Sequence, residues 1–428
     1  MYNYRNSEQL LERALKTIPL GSQTFSKSKT QYPHGVSPYF IQKGKGSRVW
    51  DVDGNEYVDY INSLAAITLG HQDPDVDSAV KAQIEEDVLF SLPHPIEMQV
   101  AEKLVELVPC AEKVRFGKNG SDATAGAIRL ARAFTKRDHV AVCGYHGWQD
   151  WYIGSTSRNL GIPEAVQDLT HKFIFNNIES LEHVFANHPK KIAAVILEPM
   201  NIEEPHPGFL EAVKELAHHH GALLIFDETI TGFRYSTGGA QQLFNVTPDL
   251  ATFGKGLANG YPLSVLVGSS EVMSLMEEVF FSFTFGGETV SLAAALATLN
   301  KLQREPVIDT LQNQGTKIIQ ALSNIIKDEC ASDFLHVSGH PSWSFFSMAD
   351  CQGISHWNLK TLFLQEMFAR GILTLGTHNM SYSHCDEDVN LLIKAYEEVI
   401  PLIVNAVRQG RVDNLLRCAP IEPLFKVR

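Results

Sequence analysis

The chain has 428 residues, 44% of them hydrophobic, and a formal net charge of −13. That length and apolar content support two domains, or one large domain with a satellite, around a substantial core. Interspersed acids and bases with a negative balance exclude a basic nucleic-acid-binding face, and the sequence has no run of about eighteen apolar residues that would span a membrane.

In chain order, Ser7–Ile18 (SEQLLERALKTI) sets leucines at helical spacing among charges, which predicts an amphipathic helix rather than the apolar stretch of a signal sequence. Pro19–Pro38 reads as an extended arm, followed by a short β-like stretch around Arg48–Val58. From about residue 60 to 300, strand-like runs alternate with helical patterns: HVAVC (139–143), AVILE (194–198), ALLIFDE (222–228) and LSVLVG (263–268). This alternation predicts an α/β fold with a mostly parallel sheet covered on both faces. After Leu299 the pattern becomes helix-rich, with strands expected at 334–337, 344–348 and 372–375, and reads as a smaller α+β domain. The expected division is 1–60 joining the small domain, 61–300 as the large domain and 301–428 as the C-terminal small domain.

Four short stretches carry candidate chemistry. Phe116–Ala123 (FGKNGSDA) opens a helical pattern, and the backbone N–H groups of Gly120 and Ser121 there could bind a phosphate; a plain N-cap at Ser121 would look the same. Gly144–Trp148 (GYHGW) follows a strand and offers the Tyr145 ring for stacking, or for ordinary packing. Asp227 emerges at the C-terminal end of a buried strand, the edge where α/β proteins bind ligands, although a capping or surface aspartate would also fit. Lys255, in LATFGKGLANG, sits between glycines at a strand end, where a lysine can form an imine with a carbonyl and anchor pyridoxal phosphate. A loop lysine is the alternative for that tripeptide taken alone.

The six cysteines are scattered without CxxC or zinc spacing, which predicts reduced thiols, a cytoplasmic protein and no metal. His218-His219-His220 ends a helical pattern stopped by Gly221, where histidines meet the helix C-terminus favourably.

Taken together, GSDA, YHG, Glu198-Pro199, DETITGFR and FGKGLANG resemble the class III aminotransferases of the fold-type I pyridoxal phosphate superfamily, nearest the glutamate-1-semialdehyde aminomutase branch. The likeness runs across roughly residues 49–299 and includes Trp50–Gly54 and Gly70-His71. It implies Lys255 as the Schiff-base lysine, Asp227 on the pyridine nitrogen, Gly120 and Ser121 on the phosphate, and Tyr145 against the ring. It also implies Glu203 near the cofactor's hydroxyl, and Thr284 on the phosphate of a neighbouring subunit, hence a homodimer with shared active sites. The implied reaction is ping-pong amino transfer in which the freed Lys255 amine moves the substrate proton.

Two departures bear on the substrate. The aminomutase GGVNSPVR motif is replaced by Leu20–Lys27, with Thr24 and Lys27 as stand-ins, and Leu375–Ser381 lacks the expected glutamate. His378 and Asn379, in a segment the resemblance puts near the substrate, could hydrogen-bond hydroxyls, although a structural histidine fits equally. Amino transfer from a donor such as L-glutamate to a carbonyl acceptor, polyhydroxylated or sugar-like, is therefore expected ahead of a glutamate-1-semialdehyde aminomutase. Arg234 matches the motif without an assigned role.

Overall fold

The computed structural model describes residues 2–422. These form two compact units, one from the residues up to Asp73 together with those from Asp309 onward, the other Pro74–Ile308. The boundaries lie beyond residues 60 and 300. The segment after Tyr60 is bonded into the first unit: Tyr382 N donates to Thr68 O at 2.8 Å, and His71 Nε2 lies 3.1 Å from Asp59 Oδ2.

The first unit opens with the helix Arg5–Ala14, whose buried face includes Leu11. The arm expected to be extended instead makes three short 3-10 turns, Pro19–Gly21, Phe25–Lys27 and Lys29–Gln31. Local hydrogen bonds account for this: Ser28 Oγ donates to Phe25 O and sits beside Thr30 Oγ1. Strands β1 (Ile41–Lys45), β2 (Arg48–Asp51) and β3 (Glu56–Asp59) pair antiparallel.

The second unit is built on a seven-stranded sheet of β4 (Lys113–Gly117), β5 (His139–Cys143), β6 (Thr170–Lys172), β7 (Ile192–Leu197), β8 (Leu223–Asp227), β9 (Leu250–Phe253) and β10 (Ser264–Gly268). The order across the sheet is β4-β10-β9-β8-β7-β5-β6. β5 through β9 pair in parallel, whereas β10 runs antiparallel to both neighbours. Every residue of β7, β8, β9 and β10 is buried, which explains their unbroken apolar runs. The helix Gly120–Thr135 lays Ala127, Ile128 and Ala131 on the core with Val140, Ile196 and Ile225. Each large aliphatic side chain so buried contributes roughly 1.5–3 kcal/mol.

The first unit is completed by β11 (Leu335–His340), β12 (Trp343–Met348), β13 (Ile372–Leu373) and β14 (Thr377–Asn379). β13 pairs parallel with β3, and Asp388 accepts from Ser47 Oγ and Arg48, both at 2.7 Å, so the two chain ends share one unit.

Candidate active site

The site is assembled where the parallel strands of the second unit end. Asp227 closes β8 and pairs in register with Thr252 of β9, three residues before Lys255. Its carboxylate is buried, and both oxygens are hydrogen-bonded. Oδ1 accepts from Thr229 N (3.1 Å), Thr229 Oγ1 (2.6 Å) and Thr252 Oγ1 (3.2 Å), and Oδ2 lies 2.8 Å from His146 Nδ1. Burial alone would raise this carboxyl, but the hydrogen bonds and charge of His146, with those of Thr229, outweigh it and hold it below the ordinary range.

Lys255 follows β9 through Gly254 and opens a 3-10 turn with φ +42°. A lysine in the left-handed region is strained, and such residues concentrate at functional sites. It is partly exposed, between the buried Gly254 and Gly256.

The Phe116–Ala123 loop meets the same point. A Cβ on Gly120 would come within 3.0 Å of Thr229 Cγ2, and one on Gly254 within 3.4 Å of that atom, so Thr229 lies between the helix start and the residue before Lys255. Asn119, not Ser121, is the N-cap: its side chain accepts from Asp122 N, while Asp122 Oδ2 accepts from Asn119 N. Ser121 Oγ accepts from Trp148 N at 3.2 Å, and Lys118 Nζ bonds Glu288 at 2.8 Å.

Gly147, at φ +99°, packs the YHG turn so tightly on that loop that a Cβ would lie 2.2 Å from Ser121 Oγ. Thr124 Oγ1 also donates to His146 O at 2.9 Å. Tyr145 N donates to Glu198 Oε2 at 3.0 Å, and its half-buried ring meets Tyr152 edge-on at 5.7 Å. The Phe116–Ala123 loop, the YHG turn, Asp227 and the strand end bearing Lys255 thus form one connected network.

His146, in the sequence no more than a neighbour of the aromatic, bonds Asp227, and its Nε2 lies 3.1 Å from Cys143 O. Thr229 and Thr252 likewise did not stand out in the sequence; their positions on either side of strand ends bearing Asp227 and Lys255 were the available signal.

Glu203 is exposed on the loop after β7, where Asn176 donates to Glu204 O (2.9 Å) and accepts from His206 N (2.7 Å). Asn201 turns inward instead, donating to Glu198 Oε2 at 2.8 Å. Thr284 lies exposed in a segment that also exposes Phe280 and Phe285. Arg234 is fully buried, and burial lowers it to about 10, so it is a core residue of this unit.

In the first unit, Thr24 and Lys27 are exposed. His378 is completely buried, with Nδ1 2.9 Å from Ser344 Oγ and Nε2 2.7 Å from Tyr396 OH, so both ring nitrogens have partners within the first unit, as the structural alternative expects. Asn379 is buried, donating to Ile61 O and receiving Asn62 Nδ2 on its carbonyl, while its Oδ1 has no hydrogen-bond partner. Nearby, Asn62, Ser63, Leu64 and Ala65 all have positive φ, from +43° to +67°.

The sheet, with ligand-type residues gathered at its parallel strand ends, is that of the fold-type I pyridoxal phosphate enzymes. An omega-transaminase from Sphaerobacter thermophilus superposes with a TM-score of 0.84 at 27% identity, covering 94% of this chain and 99% of that one. The PLP internal aldimine form of the FumI protein from Sphingopyxis sp. MTA144 gives 0.87 at 27%, covering 97% and 99%. Residues 31–383 match the family model described as Aminotransferase class-III, and the chain belongs to that family, whose cofactor is pyridoxal 5′-phosphate. It is 35% identical to a 3-aminobutyryl-CoA aminotransferase of Cloacimonas acidaminovorans (strain Evry), over 92% of this chain and 96% of the relative. It is 34% identical to a glutamate-1-semialdehyde 2,1-aminomutase of Syntrophobacter fumaroxidans (strain DSM 10017 / MPOB), over 91% and 96%.

Proposed function

We propose that the chain transfers an amino group from a donor such as L-glutamate to a carbonyl acceptor by ping-pong chemistry, with Lys255 as the acid–base residue. The observation that carries this is the connection of the strained Lys255 strand end to Asp227 through Thr229 and Thr252. The residues present fit the cofactor. Gly120 lacks the Cβ that would press on Thr229, leaving the first-turn N–H groups of Gly120 and Ser121 for the phosphate at the positive end of a 16-residue helix. Asp227 would hold the proton on the pyridine nitrogen, and Tyr145 would lie against the ring.

When bound, pyridoxal phosphate withdraws electrons from the substrate carbon and carries the amino group between the two half-reactions. The chain's own part is positional and protonic. Lys255 Nζ, as a neutral amine, would take the proton from the donor's amine-bearing carbon in the first half-reaction and deliver one to the acceptor's former carbonyl carbon in the second. His146, Thr229 and Thr252 hold the Asp227 carboxylate ionised and oriented, and Thr284 would reach the phosphate site of a second copy in a homodimer with shared sites.

Thr24 and Lys27 remain candidates for the substrate, as does Asn379 through its buried Oδ1. A hydroxylated or sugar-like acceptor drew support from His378 and Asn379 together; with His378 committed elsewhere, that reading rests on Asn379. A second reading, an aminomutase, is favoured by the 34% identity to the Syntrophobacter enzyme and opposed by the absence of an acid in Leu375–Ser381.

Holoenzyme incubated with L-glutamate and no acceptor should release one 2-oxoglutarate per site, and Lys255→Ala should abolish turnover. Full turnover by Lys255→Ala would overturn the proposal. Turnover of glutamate-1-semialdehyde with no donor active would select the aminomutase.

A further inference from the structure

We infer that His139, His171 and His188 form a binding site for a late first-row divalent transition-metal ion of the zinc, nickel or cobalt type, at the opposite end of β5 from the active site. Each histidine offers one ring nitrogen, and these nitrogens all lie within 4.8 Å of one another. His139 Nδ1 and His171 Nε2 are 2.8 Å apart, and the His171 and His188 rings stack with centroids 3.7 Å apart. All three side chains are half-buried, so solvent ions can reach them while the fold holds them in place.

The three come from separate elements. His139 opens β5, His171 lies beside it in the edge strand β6, and His188 is the C-cap of the helix Ile178–Asn187. The turn bearing Tyr145 leaves the other end of β5, about four residue steps or roughly 13 Å away. The site is therefore separate from the cofactor chemistry.

Imidazole nitrogen is a preferred donor for these ions, and three histidines with open positions is a known zinc arrangement. Zinc–nitrogen bonds of about 2.0–2.1 Å put ligand nitrogens about 3.4 Å apart at a tetrahedral ion. The His139–His171 pair would open slightly from 2.8 Å, its shared ring proton moving to the other nitrogen of that ring. A ligating imidazole must be neutral, and an ordinary histidine, at about 6.5, is mostly so at pH 7 and above.

The test is equilibrium dialysis of untagged, chelator-treated holoenzyme against Zn²⁺ alone, comparing wild type with His188→Phe and His171→Phe. Phenylalanine keeps a ring in the stack and removes the nitrogen. Wild type should take up one more zinc per chain than either variant, or bind it at least tenfold more tightly, with cofactor absorbance and turnover unchanged. Cysteines and the cofactor phosphate contribute equally to all three proteins. No uptake by wild type, or equal uptake by all, would overturn the site. Should a variant fail to fold, Co²⁺ added to wild type decides: a nitrogen-ligated d–d spectrum supports the site, and the aquo-ion spectrum refutes it.

Discussion

His146 Nδ1 lies 2.8 Å from Asp227 Oδ2, with the histidine ring completely enclosed and the carboxylate 4% exposed. The other ring nitrogen faces Cys143 O, an oxygen that only accepts, so the histidine is fixed in orientation by the backbone of the strand it follows. Asp227 is thereby held by groups from three strand ends: His146 after β5, Thr229 after β8 and Thr252 in β9.

His146→Ala should leave Asp227 buried with only hydroxyl and amide donors. A hydrogen bond to a charged group contributes about 1.5–3 kcal/mol, which corresponds to a fall of roughly 10–100-fold in turnover per bound cofactor. Steady-state kinetics on protein saturated with pyridoxal phosphate checks this, with cofactor absorbance separating weak binding from slow chemistry. An unchanged kcat would show that the two threonines suffice.

Gly147→Ala tests the cradle. The added methyl would meet Ser121 Oγ at 2.2 Å in a backbone conformation, φ +99°, that alanine adopts only at a cost of about 1–2 kcal/mol. The expected result is cofactor binding weakened tenfold or more, read by dialysis and absorbance, with secondary structure retained by circular dichroism. Wild-type affinity would mean the YHG turn can shift without disturbing the phosphate loop.

Much of this was legible in the residues because parallel strands announce themselves as unbroken apolar runs and their C-terminal ends mark the ligand edge. Lys255 and Asp227 stand at such ends. β10 has the same appearance yet runs antiparallel, since a fully buried run carries no sign of direction. The course of the loop bearing Glu203 was not legible, because a motif offset cannot register its hydrogen bonds to Asn176 in a different segment. His378 was ambiguous for a similar reason, its partners Ser344 and Tyr396 being distant in sequence.

The inward turn at Asn201 leads to a paired prediction. Asn201→Ala should lower turnover several-fold, because Glu198 would lose a donor while still holding Tyr145 N. Glu203→Ala, at an exposed position, should leave stability within about 0.5 kcal/mol and activity near wild type. The reverse ranking in kcat/KM would restore Glu203 to the cofactor's surroundings.

Acid should weaken the first unit through His378. Burial pushes this ring down to about 3, against about 6.5 for an unfolded histidine. A depressed value means the folded state refuses a proton that the unfolded chain accepts, so the contribution is fully present above about pH 6.5 and is lost as pH falls toward 3. His384, lowered to about 4 by burial, acts in the same direction. Urea unfolding of His378→Asn between pH 7.5 and 5 should show a slope shallower by up to about 1.4 kcal/mol per pH unit, the value for one proton. Equal slopes would mean that His378 takes a proton in the folded state.

Ser63→Gly should stabilise, because Ser63 sits at φ +51° within four consecutive left-handed residues. Non-glycine residues there cost roughly 1–2 kcal/mol each, while glycine returns about 0.5–1 kcal/mol through the greater freedom of the unfolded chain. Ser63 is only half-buried, so little packing is lost, and a net gain of about 0.5–1 kcal/mol is expected. Gly144→Ala supplies the opposite case, since φ is +104° and its Cβ would lie 2.6 Å from Glu198 Oε2. Thermal unfolding of the two variants should move in opposite directions. Destabilisation by Ser63→Gly of more than about 1 kcal/mol would mean that contacts of the serine side chain, rather than its neighbours, hold the strained turn.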